Sequence, residues 1–166
     1  MQRHSAQRSL ERGAVAVEFA LVLPLLMALL VGIVTTGLGY NNVLGVADGV
    51  REGARFGATT LSGSSWASTV KTQTIALTTL NVPGHPVVVN DQMVCVQLVK
   101  APATVVWPSS CSLATAPPVT PTGVLDGTCL VKVWAEIPVD INFVLLGHAT
   151  PTVKRQSVAL YERGTC

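Results

Sequence analysis

Twenty-nine consecutive residues, Phe19 to Ala47, carry no formal charge, and that run constrains this chain more than any other feature. As an α-helix rising 1.5 Å per residue it reaches roughly 43 Å, against a hydrocarbon core of about 30 Å. One membrane span fits, with length to spare. Every later apolar run is short and is broken by charge, proline or glycine, so a single span is predicted. The chain has 166 residues, 49% of them hydrophobic, with a mean hydropathy of +0.49. That is apolar for a soluble domain of this size and leaves room for one anchor and one modest domain.

The flanks predict an orientation. Arg3, Arg8 and Arg12 precede the span against Glu11 alone, and the positive-inside bias then puts the N-terminus in the cytoplasm and the bulk of the chain outside. The four cysteines, Cys95, Cys111, Cys129 and Cys166, all fall in that outer part, as disulfides in an oxidising compartment would. A secretory signal peptide is the rival reading, but its apolar stretch runs 7–15 residues and ends in a small-x-small site. No L-x-x-C lipobox precedes a cysteine.

One carboxylate, Glu18, stands at the mouth of the span. A charge at the centre of a bilayer costs roughly 2.5–3.5 kcal/mol and less toward the interface, so a plain interfacial role is one reading of it. The order of residues around it is more specific. A short basic leader is followed by Gly13, four apolar residues Ala14 to Val17, Glu18, Phe19 and the apolar run. This resembles the class III signal of type IV prepilins. The longer string ERGAVAVEFALVLPLLMALLVGI, with Pro24 inside it, is similar to the TadE-like family of minor pilins or pseudopilins of tight-adherence (Flp) pilus systems. The resemblance implies cleavage between Gly13 and Ala14 on the cytoplasmic side by a prepilin peptidase, and it makes other pilin subunits and the pilus assembly machinery the expected partners. It covers roughly residues 11–58.

The physical reading stands beside that resemblance. A protease needs extended, accessible backbone, and Gly13 is the residue least costly to hold out of a helix. Cleavage creates an ammonium at Ala14, and pairing it with Glu18 of a neighbouring subunit neutralises two charges that are each expensive in an apolar bundle. Removing residues 1–13 takes away three of the eleven Lys and Arg and one of the nine Asp and Glu, leaving eight of each. Pro24 reads as a kink, tolerated in a membrane helix where neighbouring groups satisfy the freed carbonyl.

Asn41 and Asn42 mark the predicted exit from lipid, after which apolar residues recur at helical intervals. Gly45, Gly49, Gly53 and Gly57 follow every fourth residue. Each costs about 0.8–1.0 kcal/mol relative to alanine inside a helix, so four are difficult to explain as filler. Two readings stay open: a bare seam against the chain's own sheet or a neighbouring subunit's helix, or a partly broken, flexible stem.

Beyond the stem, Ser68 or Thr69 is read as the cap of a short helix running to about Asn81. Four stretches, 87–89, 93–99, 130–139 and 152–161, read as three or four antiparallel strands. In the third, Leu130, Lys132, Trp134 and Glu136 alternate with Val131, Val133, Ala135 and Ile137, the pattern of a half-buried strand, with Pro138 marking its end or an edge. Residues 100–129 hold five of the ten prolines and read as a long loop. Four cysteines allow three pairings; Cys95–Cys111 with Cys129–Cys166 is preferred, because the first closes a short loop and the second fastens the C-terminus.

The sequence offers no support for catalysis. His4, His85 and His148 are isolated, and no G-x-S-x-G, H-E-x-x-H or P-loop pattern occurs. Cysteine and histidine spacings do not suit zinc, no cofactor is implied, and the cations are too dispersed for nucleic acid. The expectation is an α+β protein of the cytoplasmic (inner) membrane, for which the resemblance implies incorporation into a surface pilus: leader 1–13, transmembrane helix and stem 14–58, and a disulfide-bonded α+β domain 59–166. Two alternatives remain: a permanently anchored envelope protein with a partner-binding ectodomain, and a secreted enzyme released by signal peptidase.

Overall fold

The computed structural model describes residues 3–78, 88–102, 104–108, 113–139, 141–143 and 147–166. Helix α1 runs from Arg3 to Thr59 without a break, 57 residues including Pro24, or roughly 85 Å of rod. The hydroxyls of Thr35 and Thr36 donate back to the carbonyls of Val31 and Gly32 at 2.9 and 2.8 Å, which keeps the polar atoms of this apolar stretch satisfied within the helix itself. The leader is helical from Arg3, so Gly13 is not held out in extended backbone.

Helix α2 spans Trp66–Thr78. It starts ahead of the expected Ser68 or Thr69 cap because Trp66 is the anchor: the residue is buried, and its indole Nε1 donates to the carbonyl of Gly57 at 3.0 Å. The remaining stretch of the predicted helix, to Asn81, lies outside the described residues.

Strands β1 (Val94–Lys100), β2 (Thr104–Pro108), β3 (Cys129–Pro138) and β6 (Thr152–Leu160) form an antiparallel sheet in the order β2-β1-β3-β6. Strands β4 (Ile141–Phe143) and β5 (Gly147–Ala149) pair separately, and β4 touches α1. The α+β expectation is met: a long apolar N-terminal helix followed by a small antiparallel sheet. Three details differ. Strand β2 lies inside the stretch read as a loop. Val88 and Val89 of the stretch read as a first strand are not in one, although Val89 is buried. Strand β3 is central and covered on both faces.

The inner face of β3, with Val131, Val133, Ala135 and Ile137 fully buried, packs with Val94, Val96 and Leu98 of β1 against Val46, Val50, Ala54 and Ala58 of α1 and Val70 of α2. On the outer face Leu130, Lys132 and Trp134 are buried too. The proline-rich segment reaches this face at Lys132, whose Nζ donates to Thr120 Oγ1 at 3.0 Å, and Pro118 close by in the chain is buried. Burial pushes the Lys132 ammonium below its ordinary pKa. Glu136, next along that face, meets Lys154 of β6 at 3.2 Å.

Candidate functional site

The candidate site is α1, whose two halves have different surroundings. In residues 15–38 the large side chains point into open space; Val15, Phe19, Leu21 and Leu25 are all more than 60% exposed. None of the most apolar window is covered by the rest of the protein. Water does not tolerate about forty ångströms of bare apolar helix, so this half suits a hydrocarbon environment, and a single-pass membrane protein follows. Gly13 and Ala14 are adjacent helical residues at its foot. Glu18, one turn above Ala14, is exposed, and among the described residues no side chain pairs with it. Phe19 is exposed beside it, and Pro24 sits a turn and a half higher in the same continuous helix.

The upper half, from Asn42 to Thr59, is built into the domain. Asn42 is buried while Asn41 is exposed, so the domain meets α1 at the level where the sequence expected the chain to leave lipid. Within the chain, Gly49 and Gly53 face α2, and Gly57 faces both β3 and α2. A Cβ on Gly49 would overlap Thr78, including its backbone, and one on Gly53 would overlap the Thr74 side chain. A Cβ on Gly57 would come within 2.9 Å of Val131 and 3.0 Å of Val70, with Trp66 just beyond. Gly45 is half-buried. Thr74 and Thr78 can face bare backbone because their hydroxyls donate to the carbonyls of Val70 and Thr74 in their own helix, at 2.7 and 2.8 Å. A continuous helix packed this closely is not a broken stem. Gly37, in the lower half, has nothing within 4 Å of where its Cβ would be.

The far end of α1 is fastened by residues 161–166. The Glu162 N–H donates to the carbonyl of Ala58 at 3.0 Å and Arg163 Nε to that of Thr59 at 2.7 Å, supplying partners for carbonyls that a helix end leaves open. The Ser62 N–H donates to the Tyr161 hydroxyl at 2.8 Å, and the Tyr161 N–H to the Cys129 carbonyl at 2.9 Å. A Cys129–Cys166 disulfide, with Cα atoms 5.9 Å apart, closes the arrangement. Cys95 is also disulfide-bonded; Cys111 lies outside the described residues.

Sequence reasoning located the span and the glycine stripe but missed Trp66, which sits in a Ser- and Gly-rich stretch read as a turn. A lone tryptophan opening a helix is the signal that was there to find. It also missed the part played by Tyr161, Glu162 and Arg163, whose partners lie about a hundred residues away in the chain.

Compared with known families, residues 13–55 match the model of the family described as TadE-like protein. The match begins at Gly13 and ends within the packed half of α1, so it takes in both halves of the helix and none of the sheet. No curated protein and no solved structure matches the chain.

Proposed function

We propose that the chain is a minor pilin or pseudopilin of a tight-adherence (Flp) type IV pilus, a structural and non-catalytic subunit anchored in the cytoplasmic membrane with its sheet domain outside. One observation carries the reading: a bare apolar helix with an exposed Glu18 near its foot, in the segment that matches the TadE-like family. In this reading a prepilin peptidase cuts between Gly13 and Ala14. The new Ala14 ammonium and Glu18 of adjacent subunits then neutralise each other as the helices pack, which favours assembly because both charges are otherwise stranded in an apolar bundle. The continuous helix across Gly13 implies that the peptidase first unwinds about a turn, a step that the low helix preference of glycine eases.

The experiment is the N-terminal residue and intact mass of the mature protein isolated from membranes. A chain beginning at Ala14 supports the pilin reading, and Glu18→Ala should then block incorporation into filaments while leaving the sheet domain folded. An intact leader together with tolerance of Glu18→Ala would support a permanently anchored envelope protein instead.

A further inference from the structure

The packed half of α1 has two covered faces, one toward α2 and one toward the sheet. Its third face carries Asp48, Arg51, Glu52 and Arg55, three and four residues apart and therefore in one stripe. With Leu77 of α2, apolar yet 40% exposed, they line an open groove of about 480 Å³. Within the chain the charges pair only loosely: Arg51 with Asp48 and Arg55 with Glu52, both at 3.7 Å, on side chains more than half exposed. Exposed pairs of this kind contribute little and exchange partners readily. The same spacing followed down the helix reaches Leu44, Gly37, Leu30 and Leu26, all exposed, so the charged stripe continues the face turned to lipid.

We propose that this stripe docks a second copy of the same chain, lying parallel and displaced along the helix axis by three residues, about 4.5 Å. Copies inserted in one membrane in one orientation have parallel helices; in this respect alone the inference rests on the membrane-anchored assembly reading above. Side by side without displacement, like charges meet at all four positions. Displaced by four residues, Asp48 meets Glu52 and Arg51 meets Arg55. A displacement of three sets Asp48 of one copy against Arg51 of the next and Glu52 against Arg55, so both carboxylates find guanidinium groups and no like pair is opposed. The contact joins different residues on the two copies.

The test uses the full-length chain, co-expressed with two different tags and solubilised from membranes, with co-purification as the readout. Asp48→Lys with Glu52→Lys makes an all-basic stripe, and Arg51→Glu with Arg55→Glu an all-acidic one. All four side chains are solvent-exposed, so the fold is expected to survive, and an unchanged thermal melt checks this. Wild-type copies should co-purify, less so at high salt; each double variant should lose self-association; the two variants together should regain it. For the displacement, Asp48→Cys in one tagged copy should form an intermolecular disulfide with Arg51→Cys in the other, and much less with Glu52→Cys. Wild-type copies that do not co-purify, variants that self-associate as wild type does, oppositely charged variants that fail to rescue each other, or preferred cross-linking of 48 to 52 would each overturn the proposal. The mature N-terminus is read from the same preparations. A chain cut before Ala14 whose copies ignore the stripe overturns the docking face and leaves the pilin reading standing; an uncut chain whose copies pair through the stripe does the reverse.

Discussion

Residues 15–41 and 42–59 belong to one uninterrupted helix and solve opposite problems. The lower half carries bulk, with Phe19 and a series of leucines standing exposed around the rod. The upper half sheds bulk: glycines face α2, and valines and alanines face the sheet. Lipid is a soft neighbour that accommodates any apolar shape, so size there costs nothing. A second helix is a hard neighbour, and Gly49 and Gly53 leave room for Thr78 and Thr74 that a single methyl group would fill. The same residue type thus has two meanings along one helix: glycine at 37 touches nothing, and glycine at 49 sets the distance between two helices.

The strongest way to break this contrast is to unfasten the upper half alone. Cys166→Ser opens a link spanning 37 residues, worth about 4 kcal/mol in the chain-entropy model. The sheet domain should melt far earlier on a thermal scan followed by near-ultraviolet circular dichroism, while the helical signal of the lower half in detergent persists. Next is Gly49→Leu, which drives a side chain into the Thr78 backbone and should destabilise the domain by about 3 kcal/mol. The matching Gly37→Leu should leave the domain's melting midpoint unchanged. Equal effects at the two sites would end the distinction between a seam and a lipid face.

A smaller effect is expected of Trp66→Phe, which keeps most of the ring but strands the Gly57 carbonyl; a loss of about 1 kcal/mol in chemical denaturation is expected. The smallest concerns the outer face of β3. The folded-state pKa of Lys132 lies below its ordinary value of 10.5, so the unfolded chain binds the extra proton and stability rises with pH between the two values. Below that window the penalty of holding the ammonium under Thr120 is fully present; above pH 10.5 it is gone. Lys132→Met should remove that slope from a stability–pH curve and raise stability near neutral pH.

What could be read in advance follows from how local each signal is. The span is legible because 29 residues without charge mean the same in any context. The glycine spacing was legible as a stripe, but its partner was not: Thr74 and Thr78 look polar in sequence and become acceptable neighbours only by turning their hydroxyls to their own helix. Strand β3 alternates like a half-exposed strand because Lys132 and Glu136 are written into it, and nothing nearby in sequence shows that Thr120 comes back to that face at Lys132. Strand β2 was hidden by the prolines at 102 and 108 that bracket it.

The fastening at residues 161–166 has a mechanical consequence. Tension applied along the apolar half of α1 travels through a rod with no joint between its halves, and at Ala58 and Thr59 it passes into the backbone of Glu162 and the guanidinium of Arg163. From there the Cys129–Cys166 bond delivers it to the first residue of β3, an inner strand held on both sides by its ladders to β1 and β6. A pull on the rod therefore drags the whole domain as one body instead of peeling it open from the helix end.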